Sequence, residues 1–206
     1  MFKKFLLASA LLLSTTVASH AAVLFTDSFD SSPLALNSTP IGWTLDYGSL
    51  DVIGPDYNFY PGTGNHIDMN GSTSQSGGMH TNAVFNFIAG NTYTLSFNYG
   101  NNANSANNGS TETLVATVLG FPGVTINQVG AIASYLVGSY SFTALSNFSS
   151  ALYFNASGTN DGDNGGLILD NVSLSVVPVP AALPLLAVGL GVLGFAGRRR
   201  RAKAAV

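Results

Sequence analysis

The side chains able to do chemistry in this 206-residue chain are almost all carboxylates. Asp27, Asp30, Asp46, Asp51, Asp56, Asp68, Glu112, Asp161, Asp163 and Asp170 lie between residues 22 and 177, and no Lys or Arg lies among them. Carboxylates without cationic partners must be neutralised by water, backbone N–H groups or a bound cation. A hard, oxygen-preferring ion such as Ca²⁺ suits them. The run Asn160-Asp161-Gly162-Asp163-Asn164-Gly165 gathers oxygens, but it lacks the later Glu of an EF-hand loop and reads more simply as a solvated acidic turn. Catalysis has less to work with. There is no Cys and no Gly-x-Ser-x-Gly nucleophile elbow, and His66 and His80, the histidines beyond residue 21, lack the spacing of a zinc motif. Each of these histidines reads as an exposed or hydrogen-bonded surface residue. A pair of carboxyls facing across a cleft hydrolyses glycosides, yet no spacing here marks such a pair. The expectation is a protein that is not an enzyme. Sugar binding needs exposed aromatic rings beside polar groups, and Tyr57, Phe59 and Tyr60 sit in an irregular stretch, Asp56-Tyr57-Asn58-Phe59-Tyr60-Pro61-Gly62, that suits a ligand-facing loop.

The basic residues are all terminal: Lys3, Lys4, Arg198, Arg199, Arg200, Arg201 and Lys203. Residues 22–177 therefore carry a formal charge of −10, although the whole chain carries only −3. Such a body cannot neutralise phosphates, which excludes nucleic acid as a partner. The chain opens with a Lys pair, an apolar run over 5–13 and the small-residue stretch Val17-Ala18-Ser19-His20-Ala21. That order predicts a secretory signal peptide, cleaved after Ala21. The chain closes with Pro178-Val179-Pro180, an apolar Gly-rich run over 181–197 and Arg198 to Arg201. Seventeen residues make a helix of about 25 Å, at the short limit for crossing the hydrocarbon core, and the Arg cluster would hold its end in the cytoplasm. This tail, VPVPAALPLLAVGLGVLGFAGRRRR, resembles the PEP-CTERM sorting signals, most closely the VPLPA-type variant. It departs from the commonest form at Val179, where Glu is usual. The resemblance implies recognition of Pro178, Val179, Pro180 and Arg198–Arg201 by an exosortase, with cleavage near Pro180. It also implies passage through the inner membrane to the surface of a Gram-negative, exopolysaccharide-producing bacterium.

What must position any body site is a set of short strands. Val84-Phe85-Asn86-Phe87-Ile88, Thr92 through Tyr99 and Leu114 through Leu119 alternate apolar and polar residues, as half-buried strands do. Further strands are predicted over 23–29, 42–47, 49–53, 66–69, 140–145, 151–155 and 167–176. Turn chemistry is supplied by Asn70-Gly71, Gly77-Gly78, Gly90-Asn91, Asn108-Gly109, Asp161-Gly162 and Asn164-Gly165. The polar stretch 100–111 reads as a mobile tip or a ligand-facing loop. No internal repeat divides the chain, so the predicted organisation is a signal peptide (1–21), a body (22–177) and a sorting tail (178–206). The predicted body is all-β, a two-sheet jelly-roll sandwich, and the tail is expected to form a hydrophobic sorting helix.

Read in order, Gly42-Trp43-Thr44-Leu45, Gly64-Asn65-His66-Ile67-Asp68-Met69-Asn70-Gly71, Ala89-Gly90-Asn91-Thr92-Tyr93-Thr94-Leu95-Ser96-Phe97 and Leu169-Asp170-Asn171-Val172-Ser173-Leu174 resemble the DUF642 and galactose-binding-like jelly-roll modules. The resemblance implies a cell-surface, carbohydrate-binding class. It also implies one structural Ca²⁺ held by Asp30 and Asp170, with Asp27 competing for the position of Asp30, and it places Trp43 on a core strand. Together the two resemblances imply an exported, non-enzymatic protein that contributes to an exopolysaccharide matrix or biofilm and has a glycan partner. A secreted carbohydrate-active enzyme and a structural adhesin are the alternatives.

Overall fold

Strands with one apolar face bury it only by pairing into sheets that stack. The computed structural model describes residues 21–55, 64–101, 111–129, 135–158 and 166–177, within one compact unit, Ala21–Val177. One sheet contains β1 (Ala22–Asp27), β3 (Asp51–Ile53), β4 (His66–Asp68), β9 (Thr92–Asn101), β12 (Leu136–Thr143) and β15 (Leu167–Val177). Its order is β12-β9-β15-β4-β3, and β1 pairs with β15 beyond the stretch that β4 occupies. The facing sheet runs β11 (Val124–Val129), β10 (Thr111–Val118), β14 (Leu152–Gly158), β7 (Gly78–Thr81), β2 (Trp43–Tyr47). Two ribbons complete the described body: β5 (Asn70–Gly71) with β6 (Gln75–Ser76), and β8 (Phe85–Phe87) with β13 (Phe148–Ser150). Every described strand pair is antiparallel. The all-β two-sheet sandwich of jelly-roll type is therefore the fold.

The core is the interleaved inner faces of the two sheets. Tyr93, Leu95 and Phe97 of β9 and Leu169 and Leu174 of β15 meet Leu114, Ala116 and Val118 of β10 and Leu152 and Phe154 of β14. Strict alternation of buried and half-buried residues along β10 shows the pleat at work. Trp43 belongs to this core, as expected, with its ring against Phe25, Phe29 and Phe154.

Several expectations are corrected. Asn70-Gly71 is not a turn but the strand β5, paired with β6. Of Gly77-Gly78, Gly77 does separate β6 from β7, but Gly78 is no turn residue, because it opens β7 inside a sheet. A Cβ on Gly78 would stand 2.2 Å from the Tyr47 ring, so glycine serves close approach there. Strands β6, β7, β11 and β13 fall outside the predicted strands, and the strand expected over 140–145 begins instead at Leu136.

Register sorts the strand ends onto two poles. Ala22 pairs with Val176, Val177 with Thr92, and Thr92 with Thr143, so the first and last strands of the body begin and end at one pole. At the other pole lie Asn101 with Leu167 and Thr111 with Val129. No helix among the described residues is long and apolar enough to cross a membrane. The expected signal peptide, save Ala21, and the stretches 160–165 and 178–206 lie outside the described residues.

Candidate functional site

Asp27, Asp30 and Asp170 come within electrostatic reach of one another at the corner where β1 ends. Asp27 closes a tight turn there. Its Oδ1 accepts the Phe29 N–H at 2.8 Å while Phe29 takes the left-handed conformation, φ 58°. Its Oδ2 accepts the Trp43 indole N–H at 2.7 Å, which ties the corner to the core. Asp30 follows on the exposed side. Its carboxyl accepts the Asn65 N–H and the Ser28 hydroxyl, each at 2.8 Å. These donors favour the ionised form, the Asn65 N–H most, and hold Asp30 below the ordinary carboxylate value. Gly64 makes that approach possible: at φ 112°, a Cβ there would stand 2.1 Å from Asp30 Oδ1.

Asp170 reaches the same corner from β15. The strand carries a bulge between Asp170 and Ser173, with Asn171 left-handed at φ 48°. Asn171 donates both its N–H (2.6 Å) and its side-chain amide (2.9 Å) to the Asp170 carboxyl. Burial nevertheless pushes Asp170 up to about 6; the Asn171 N–H opposes this, and the charges of Asp30 and Asp27 add to it. An open depression of about 580 Å³ lies alongside, with Thr26, Asp27, Ser28, Asp30, Asn171 and Ser173 in its wall. The fold thus brings Asp30 and Asp170 within electrostatic reach of each other, and Asp27 with them. Their donors are all hard oxygens, the chemistry Ca²⁺ takes. Among the described residues no three of His, Cys, Asp and Glu converge as a metal-holding group, so any ion here would also need backbone or water oxygens.

A second set of polar residues lies on the outward face of the first sheet. Val52, Ile67 and Leu169 point into the core, so their neighbours Ile53, His66, Asp68, Ile168 and Asp170 point the other way. Asp51 stands opposite Asp68, and Ile53 opposite His66. Contrary to expectation, His66 is buried, 4 % exposed, and its Nε2 has no hydrogen-bond partner. Burial pulls it down to about 4 against the hydrogen bond to the Gly64 backbone, which favours the charged form. Its ring meets Tyr135 edge-on, and Tyr135 also packs on Ile53 and Ile168. Register alone could have exposed this cluster, because residues at alternate positions of paired strands share a face. His80 is the surface residue that was expected, half-buried with Nδ1 2.7 Å from Asp46 Oδ1. Tyr57, Phe59 and Tyr60, like the sorting residues Pro178, Val179, Pro180 and Arg198 to Arg201, lie outside the described residues.

No protein-family model and no curated protein matches the chain. Solved structures do resemble it. The CBM22-1 xylan-binding domain of Paenibacillus barcinonensis Xyn10C is 14% identical, covers 79% of this chain and 99% of its own, and has a TM-score of 0.48. CBM35 from Paenibacillus barcinonensis is 19% identical over 73% of this chain and 97% of its own, with a TM-score of 0.43. An apo cyclase from Fischerella sp. is 17% identical over 78% of this chain and 98% of its own, with a TM-score of 0.47. These are likenesses of shape, and what the chain does has to be argued from its own residues.

Proposed function

We propose that the protein is an exported, non-enzymatic surface protein whose sandwich binds glycan in an exopolysaccharide matrix or biofilm. One observation carries this reading: a carboxylate-rich β-sandwich without a single Lys or Arg is joined to a Pro-x-Pro, apolar, Arg-clustered tail. Solved xylan-binding and other carbohydrate-binding modules share the all-β shape, in keeping with the same reading. Non-enzymatic binding suits the corner of Asp27, Asp30 and Asp170: among the described residues it borders an open depression, and its acids are engaged by backbone and side-chain donors. The signal peptide exports the chain, and an exosortase reads Pro178-Val179-Pro180 and passes the body to the surface of a Gram-negative cell. Glycan stacks on Tyr57, Phe59 and Tyr60. Ca²⁺ is held by Asp30 and Asp170 as a structural ion, with backbone or water oxygens completing its shell.

Fractionation of cells expressing the chain with and without residues 178–206 tests the sorting. The full chain is expected at the surface or in the medium, and in the inner membrane when the exosortase is deleted. Identical distribution of the two forms would remove the sorting reading. A glycan array probed with the secreted protein tests the binding: retention on acidic or neutral polysaccharide, lost on Tyr60→Ala, is expected. Hydrolysis of any array glycan would replace the binding protein with an enzyme.

A further inference from the structure

The pole at which the body's chain begins and ends has a surface unlike the rest. Four connections build it: β7 to β8, β8 to β9, β10 to β11, and β12 to β13. Each puts a bare aliphatic side chain into solvent, namely Val84, Ile88, Leu119 and Leu145, the last 89 % exposed. Val23, Leu24 and Val177 are exposed beside them at the strand ends. Seven of the fourteen large apolar side chains exposed among the described residues therefore collect at one pole. Lone exposed aliphatics need no explanation, but half of them gathered at one end of the body point to a binding surface.

These loops are tied to one another by hydrogen bonds. The Gly90 N–H donates to the Ala144 carbonyl at 2.7 Å, the Ala144 N–H to the Asn91 carbonyl at 3.0 Å, and the Ala89 N–H to Asn147 Oδ1 at 2.8 Å. The Leu119 N–H donates to Ser150 Oγ at 3.1 Å. Beneath them lies an aromatic layer in which Phe87 stacks on Phe148 at 4.6 Å and Phe121 meets Phe142 at 4.2 Å. The aliphatics thus stand on a hydrogen-bonded, aromatic-packed base. They do not fold back into the core.

Charge sorts the same way. None of the ten carboxylates falls in residues 82–91, 119–123 or 144–147, nor in the flanking stretches 22–25 and 174–177. The acidic corner and the Asp51–Asp68 pair belong to the part of the first sheet that extends toward the other pole. A body of charge −10 approaching anionic headgroups is repelled least when this uncharged pole leads.

The chain itself says what covers the pole. Only residues 178–180 join Val177 to the apolar run 181–197. Three residues reach about 10 Å when extended. We propose that this pole is a lipid-docking surface, at which Val84, Ile88, Leu119 and Leu145 enter the headgroup zone of the bilayer that residues 181–197 span. This rests on reading the tail as a membrane span. Docking would turn the acidic corner away from the lipid surface.

The chain has no Cys, so a single introduced thiol takes a single label. Full-length protein is reconstituted through its own tail into vesicles of phosphatidylethanolamine and phosphatidylglycerol, with an environment-sensitive fluorophore at Leu145→Cys or, as the far-pole control, at Gln75→Cys. Bromolipid quenching at Leu145→Cys is expected to be roughly threefold stronger than at Gln75→Cys. Adding Val84→Glu, Ile88→Glu and Leu119→Glu should bring it down to the control. Protein that floats with the vesicles but shows equal quenching at both positions overturns docking alone. A blue-shifted but unquenched label at Leu145→Cys overturns it as well, because the pole is then covered by a second copy. Protein that does not float overturns the span reading, and docking falls with it.

Discussion

Asp170 and His66 titrate in opposing senses within one pH window. Asp170, raised to about 6, takes up its proton more readily in the folded state, so stability rises as pH falls through 6 and levels off near the ordinary 3.8. His66, lowered to about 4, is protonated first in the unfolded chain, so stability falls as pH drops below 6.5 and continues to fall down to about 4. Each linkage is worth at most about 3 kcal/mol. The two should largely cancel, leaving the protein in chelator with stability nearly flat between pH 6 and pH 4.5. Asp170→Asn should unmask the histidine, so that urea midpoints fall on acidification. His66→Asn should unmask the carboxyl, so that midpoints rise over the same interval. The slope is the readout, since either change also shifts the absolute value. Parallel slopes in the two variants would contradict both assignments.

At the scale of elements, strand β12 shows how a glycine can lengthen a strand. A Cβ on Gly138 would stand 2.4 Å from the ring of Phe97, the residue paired with it on β9, and that ring is fully buried. Gly138→Ala is therefore expected to cost about 1–3 kcal/mol in urea unfolding, because the ring must leave its rotamer or the strands must part. Ser139→Ala, on the exposed side of the same strand, should cost little. The bulge of β15 makes a similar demand on backbone shape. Asn171→Gly should be tolerated at φ 48°, whereas Asn171→Val should lose about 1–2 kcal/mol and loosen Asp170. These positions mark where reading the sequence stops. Alternation exposes β9, β10 and β15 because their inner residues are large and apolar, and their pairing follows from that. Gly78 reads as a turn residue and the strand predicted over 140–145 stops short of Gly138, since sequence does not distinguish a glycine that turns the chain from one that lets a ring approach it. Likewise Asp30 and Asp170 were legible as a pair only through a family resemblance. The burial of His66 depends on which face β4 shows to its neighbours, and register is a property of the assembled sheet.

For the whole molecule, the partition of charge decides how it should respond to ions. Residues 22–177 hold ten carboxylates and no cationic side chain, and the charges of Asp30 and Asp27 reach Asp170 at the corner where β1 ends. An ion bound only by the folded state adds RT ln(1 + [L]/Kd), about 2.7 kcal/mol at a hundredfold excess over Kd. General screening also relieves repulsion at this charge density, but it does so for any salt and without regard to one residue. The two contributions separate cleanly. Ca²⁺ should raise the melting temperature by several degrees over Mg²⁺ at equal ionic strength, because the octahedral demand of Mg²⁺ suits an irregular oxygen corner poorly. The Ca²⁺ increment should collapse in Asp170→Asn and survive in Asp161→Asn. By lowering the pKa of Asp170, bound Ca²⁺ should also remove the carboxyl's opposition to the histidine, so that wild-type protein in Ca²⁺ becomes acid-labile between pH 6 and pH 4.5 as Asp170→Asn is in chelator. Equal increments from both ions, unaltered by Asp170→Asn, would leave screening as the whole effect and the corner as a cluster of acids held by hydrogen bonds alone.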